Sequence, residues 1–314
     1  MDVLCVGQLA ADILVRPVDR VDFGVDTRRV DGIDIKNGGD CLNVALGLRR
    51  LGASVGFSGL VGDDQLGDYL RGVITSAGID ARGLKKTREA RTCSCLVLIN
   101  GTGDRCFFYY GGANDRFSLA DVDLGAARGA SIVHVGGTYL LPQFDGEGAA
   151  RLFAEARSRD RLTSMDVTWD TTGRWLDVIA PCLPHLSYFM PSIREAREIA
   201  GTDDPKQVAA FLQEKGVGTV VVKLGEQGCY VKPGVEPGFF SGAFKTEVVD
   251  TTGAGDSFVA GFLTGVLKGW DVKSCAELAC AVAAMNIRAV GATAGIPTFE
   301  EARQFMQARK GQAW

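Results

Sequence analysis

Short apolar runs alternate with segments whose apolar positions recur at helical spacing along most of this chain. The runs at 3–7, 54–61, 132–135, 164–167, 188–190 and 220–224 read as strands, and the segments 42–51, 65–76, 146–158, 193–200, 205–215 and 257–268 as helices. Gly52, Gly78 and Gly216 stand just past three of these helices, where a left-handed residue ends the last turn. The strands are almost continuously apolar rather than alternating, so both of their faces are expected to be covered. The prediction is an α/β fold: a doubly wound, mostly parallel sheet with helices on both faces. Val248 and Val249 read as the end of one more buried strand.

Two regions depart from this alternation. Around residues 12–37 polar and apolar positions alternate about Val15, Val18, Val21, Val25 and Val30, with no helix. Around 92–112 two strand-like runs, 95–99 and 106–110, flank the turn Asn100-Gly101-Thr102-Gly103-Asp104, a hairpin signal. Phe107 and Tyr109 should face one side of the second run, Phe108 and Tyr110 the other. Exposed aromatics there would mark a homodimer contact; packing on the main sheet explains them equally well.

The chemistry concentrates in Asp250-Thr251-Thr252-Gly253-Ala254-Gly255-Asp256-Ser257-Phe258. The Gly253, Ala254 and Gly255 N–H groups can converge on one anion at the mouth of an apolar helix, whose dipole already favours negative charge. A carboxylate at Asp256, where a phosphate would land, is costly unless it takes a proton from the group attacking that phosphate. Cradle plus base is the arrangement of a phosphoryl-transfer site.

Composition narrows the class. The 314 residues are 46% hydrophobic and 23% charged, with a net charge of −4, which argues against a nucleic-acid footprint. There is neither a basic run for an anionic membrane surface nor an apolar run near the ~20 residues of a membrane span. Nine cysteines scattered through apolar segments suit buried thiols in a reducing cytoplasm better than disulfides. His134 and His185 stand alone and read as structural.

The 250–258 run resembles the second signature of the PfkB carbohydrate kinases, the ribokinase-like fold. Gly38-Gly39-Asp40-Cys41-Leu42-Asn43-Val44-Ala45 resembles the first, and the two occur in the family's order. The resemblance covers nearly the whole chain. It implies one domain over residues 1–314, with segments at about 12–37 and 92–112 forming a small β-sheet lid over the sugar site. It implies ATP with Mg²⁺ as cofactors, Asp256 as base, and Asp12, Gly38, Gly39 and Asn43 against the sugar. Asn43 as a helix cap and Asp12 as a loop residue remain readings of those residues taken singly.

The same resemblance puts ATP near Val221–Gly228, with Gly225 and Gly228 allowing close approach of the phosphates. Lys223 stands where relatives usually have Thr or Ser; it either touches a phosphate or is solvated. Ser192 and Glu195 match a motif whose glutamate supports Mg²⁺ through water, with Ser192 replacing an asparagine; they fit a helix capping box equally well. Asp166 could join the metal network or sit in a turn. Asp250 and Thr252, with carbonyls near Ala289 and Gly291, resemble a monovalent-cation (K⁺) site. Arg91 and Arg105, in the lid segment, read as solvated, because neither belongs to a basic cluster. The expected acceptor is a small neutral sugar; a nucleoside or a sugar acid is the alternative. A dinucleotide oxidoreductase lacks its Gly-x-Gly-x-x-Gly after the first strand, and a non-catalytic sensor would not need Asp256.

Overall fold

The protein is described by a computed structural model over residues 1–308; of the expected domain span, residues 309–314 lie outside the described residues. The strands in chain order are β1 (Val3–Gly7), β2 (Ala10–Arg16), β3 (Gly32–Gly38), β4 (Val55–Gly62), β5 (Asp80–Thr87), β6 (Ser94–Ile99), β7 (Arg105–Tyr110), β8 (Ile132–Thr138), β9 (Leu162–Val167), β10 (Tyr188–Phe189), β11 (Thr219–Lys223), β12 (Cys229–Pro233) and β13 (Phe239–Ser241). The α-helices are α1 (Asp40–Arg50), α2 (Gln65–Ser76), α3 (Leu124–Gly129), α4 (Glu147–Arg157), α5 (Leu176–Ile179), α6 (Ile193–Ala200), α7 (Pro205–Glu214), α8 (Ala254–Leu267), α9 (Val272–Asn286) and α10 (Phe299–Ala308).

Nine strands form the main sheet in the order β13-β12-β11-β10-β9-β8-β1-β4-β5. It is parallel from β11 to β5, and β12 and β13 run antiparallel at one edge. Successive side chains of a strand point to opposite faces, and β1 shows the result. Val3 and Cys5 belong to the core shared with α1, α2, α8 and α9, whereas Leu4 and Val6 belong to the core shared with α4, α6 and α7. The predicted layering is therefore present. The predicted helix at 257–268 begins earlier, at Ala254, which puts Asp256 inside its first turn.

Val248 and Val249 are not a buried strand: both are about half exposed, and the segment has no strand pairing. The three strands without a counterpart in the sequence reading lie near sheet edges. At the outer position, β5 carries Asp80, Arg82, Lys85 and Lys86, charges that hide its period and also discourage further strand addition.

The segments at 12–37 and 92–112 meet in a second, four-stranded sheet, order β3-β2-β6-β7. Its register places Lys36, Asp12, Cys95 and Tyr109 in one row. The neighbouring row on the opposite face is Ile35, Ile13, Leu96 and Phe108. Among the described residues no helix is long and apolar enough to cross a membrane.

Candidate active site

The main sheet reverses its direction of growth at β1: the chain moves to β4 on one side and later to β8 on the other. A crevice opens at the carboxyl ends of strands where this happens. Its floor is built without side chains. A Cβ at Gly7 would collide with the Gly136 carbonyl, and one at Gly39 (φ 94°) with the backbone of Leu9 and Gln8. Gln8 holds the start of α1 there, its Oε1 accepting from the Asp40 N–H at 3.0 Å and its carbonyl from the Leu42 N–H at 3.3 Å.

Helices α1 and α8 then run close together, because a Cβ at Gly47 would overlap that of Ala260. This contact brings the two signatures into one site: Asn43 Nδ2 donates to Asp256 Oδ2 at 2.9 Å. Asn43 is inside α1 rather than at its cap; Gly39 holds that position. Gly253, left-handed at φ 72°, caps α8, and a Cβ there would strike the Ala292 carbonyl. The Ala254 N–H donates to the Thr251 carbonyl at 3.2 Å and the Ser257 N–H to the Gly253 carbonyl at 2.9 Å, which leaves the Gly255 and Asp256 amides of the opening turn of α8 for an anion.

A buried carboxyl and two part-buried ones gather near this helix start. Burial drives the Asp256 carboxyl up to about 7, against the opposing Asn43 hydrogen bond. Asp40, in the first turn of α1, is pushed well above the usual carboxylate range by burial and by the nearby Asp256. Asp12, on β2, rises to about 6 by burial. Its carboxylate lies where a Cβ of Gly38 would be, so that glycine makes room for it.

Lys223, at the end of β11, is not solvated. Its Nζ pairs with Asp166 Oδ2 at 2.6 Å, with side chains 13% and 5% exposed, and stands beside Gly255 at the start of α8. Burial by itself lowers the proton affinity of this amine. The Asp166, Glu195 and Asp256 carboxylates outweigh burial and hold it protonated. The loop that follows turns at Gly225 and Gly228, both at positive φ. Gly228 is also required by packing, since a Cβ there would enter the Ser241 backbone.

Ser192 and Glu195 form the capping box of α6: the Ser192 N–H donates to Glu195 Oε2 at 2.7 Å and the Glu195 N–H to Ser192 Oγ at 3.4 Å. Glu195 nevertheless bears on the site, since it raises Asp40 and Asp166 and helps keep Lys223 charged. Carboxylate oxygens suit Mg²⁺, which binds through one or two of them plus substrate phosphates. Asp166 and Glu195 supply that kind of donor.

Beyond α8, Asp250 Oδ1 accepts from the Thr252 N–H at 2.8 Å and Oδ2 from the Gly291 N–H at 2.8 Å. The structure brings these three together, with Ala289 in the adjoining turn after α9. It adds a partner that the sequence reading took for a solvated charge: Arg105, on β7, pairs with Asp250 Oδ1 at 2.9 Å and also donates to Thr252 Oγ1. Arg91 is exposed, as expected. His134 is buried against Ser164 Oγ at 3.2 Å.

Comparison with known proteins gives the family. Residues 1–299 match the profile of the pfkB family carbohydrate kinases. The chain is 28% identical over 279 residues to a 2-dehydro-3-deoxygluconokinase of Bacillus subtilis, covering 85% of this chain and 86% of that one. It is 31% identical over 257 residues to an uncharacterized sugar kinase of Archaeoglobus fulgidus, covering 80% and 98%. The fold superimposes on a ribokinase of Arabidopsis thaliana, complexed with ribose and ATP, at a TM-score of 0.85 and 22% identity, covering 98% of both chains. The chain belongs to the pfkB family and is an ATP-dependent carbohydrate kinase.

Proposed function

We propose that this kinase phosphorylates a hydroxyl of a small neutral sugar, with Asp256 as the general base. The observation that carries the reading is the Asn43–Asp256 hydrogen bond at the N-terminus of α8. It fixes the carboxylate beside the amides that would receive the phosphoryl oxygens, and burial sets its proton affinity near neutrality. The acceptor hydroxyl gives its proton to Asp256 as its oxygen bonds to the γ-phosphorus, and the bond to ADP breaks. The opening amides of α8 and the Lys223 ammonium stabilise charge on the transferring group. Mg²⁺, held through Asp166 and Glu195, would neutralise phosphate charge.

Asp12, Gly38, Gly39 and Asn43 bound the acceptor side. Three enclosed carboxyls (Asp12, Asp40, Asp256) hydrogen-bond to hydroxyls; Asp12 and Asp256 repel a negatively charged acceptor to the extent that they are ionised, while Asp40, raised well above the carboxylate range, adds no repulsion. A sugar acid is the second reading, favoured by the name of the Bacillus subtilis relative and by the lid arginine Arg105. The deciding measurement is kcat/KM across ribose, fructose, a keto-sugar acid, a hexose phosphate and adenosine. Preference for a charged acceptor or the nucleoside would sink the neutral-sugar reading.

The apolar lid row of Ile35, Ile13, Leu96 and Phe108, extended by the exposed Ile33, fits a second copy of the same sheet. A cytoplasmic setting is supported by nine free thiols, all buried but Cys106.

A further inference from the structure

We propose that Arg105 is the resident cation of the phosphate turn, a positioning residue on the lid whose guanidinium takes the place of a free monovalent ion. Asp250 is 4% exposed and Arg105 27%, so the pair is largely withdrawn from water. Asp250 Oδ1 receives Arg105 and the Thr252 N–H, and Oδ2 receives the Gly291 N–H. A carboxylate offers about four lone-pair sites. Three are thus filled by N–H donors, and the guanidinium already neutralises the carboxylate, so a metal ion would find one lone pair on Oδ2 and a like charge beside it. The donor set does not fit K⁺ as long as Arg105 is in place.

The charge of this pair is permanent on both sides. Burial would raise Asp250, but hydrogen bonds from Arg105, Thr252 and Gly291 hold it far below the usual carboxylate range. A guanidinium stays protonated at any working pH. Position gives the pair its consequence. Asp250 and Thr252 lead directly into Gly253, whose conformation orients the α8 amides. Arg105 sits at the hairpin end of β7, paired with Ile99 across the turn. A closed lid therefore braces the anion hole and an open lid releases it, which couples acceptor enclosure to readiness for phosphoryl transfer. The neighbouring Thr252 hydroxyl is engaged by the same guanidinium.

This inference rests on the proposed phosphoryl-transfer site at α8, and its test separates the two. Initial rates of wild type, Arg105→Ala and Arg105→Lys are measured with potassium, sodium and tetramethylammonium as sole cation. Wild type should run equally in all three. Arg105→Ala should lose roughly tenfold in kcat without metal cations, the scale of one lost charge-assisted contact. Added K⁺ or guanidinium should restore part of that loss, and Arg105→Lys should stay cation-independent. Strong K⁺ activation of wild type, or an undiminished kcat for Arg105→Ala in tetramethylammonium, would overturn the proposal. So would a variant that raises KM for a sugar acid alone with no cation rescue, since Arg105 would then serve the acceptor. Hydrogen exchange of the 105–110 amides supplies a readout independent of turnover: Arg105→Ala should exchange faster, with K⁺ leaving wild type unchanged. If wild type transfers phosphate to neither ribose nor fructose, the neutral-sugar reading fails, and unchanged exchange in Arg105→Ala would overturn the lid brace separately.

Discussion

Asn43 Nδ2 donates to Asp256 Oδ2 at 2.9 Å, joining positions 213 residues apart. The bond leaves the other carboxylate oxygen of Asp256 for an acceptor hydroxyl. Asp256→Asn should keep the fold and ATP affinity while lowering kcat by about 10²–10⁴-fold, the usual cost of a lost general base. Circular dichroism and nucleotide titration check the first part, steady-state kinetics the second. Turnover near that of wild type would remove Asp256 from the mechanism.

The pH dependence follows from the same carboxyl. Its affinity for a proton is raised to about 7, and only the ionised form accepts the acceptor's proton. The expected kcat/KM profile falls about tenfold per pH unit on the acid side of pH 7. The Asn43 hydrogen bond favours the ionised form, so Asn43→Ala should move this limb to higher pH. A limb that stays in place or moves down would contradict the assignment.

Lys223→Met leaves Asp166 without its cation. Breaking a buried pair typically costs about 3–5 kcal/mol, because the remaining charge stays buried. Asp166 is already raised to about 7 with the lysine present, burial being the main cause, and rises further without it. A raised carboxyl stabilises the fold when protonated, and that contribution is lost as pH rises through its folded value. The fall in Tm should therefore be larger at pH 8 than at pH 5.5. An equal loss at both would mean that the pair's charge is not the cause.

Gly38→Ala introduces a methyl group into the Asp12 carboxylate. Asp12 must shift from the acceptor side while Asp256 is untouched. The expected result is a KM for the sugar raised by roughly tenfold, the scale of one lost hydrogen bond to a charged group, with kcat nearly unchanged. A fall in kcat alone would place Asp12 elsewhere.

Phe108→Asp puts a charge in the exposed lid row of Ile35, Ile13 and Leu96. If that face seats a second copy, light scattering should show a dimer for wild type and a monomer for the variant. A wild-type monomer at tens of micromolar would end the dimer reading.

Much of the strand and helix order was legible because most buried elements carry their period, although the buried α9 and β12 had no counterpart in the sequence reading, and the second signature was legible because cradle and carboxylate are contiguous. The Arg105–Asp250 and Lys223–Asp166 pairs were not. Each joins opposite charges between distant elements, and an unpaired charge in sequence looks like any solvated one. Lys223 follows three buried valines on β11, which was the available signal that its stem is enclosed. Val248 and Val249 misled for the opposite reason: two β-branched residues before a glycine turn have the composition of a strand end, but no neighbouring strand is there to pair with them.

Helix α8 carries the proposed base, Asp256, and also covers the sheet, since Phe258, Val259, Phe262 and Leu263 belong to the core that α1 shares. Every strand of both sheets precedes it in the chain, the last ending at Ser241. During synthesis, all thirteen strands of the described residues can emerge from the ribosome before Asp256 does. Until α8 and α9 follow, the part of that sheet face which α1 and α2 do not cover is exposed apolar surface, open to chaperones or to aggregation. Premature termination near residue 250 would thus yield a sticky fragment rather than an inactive soluble one.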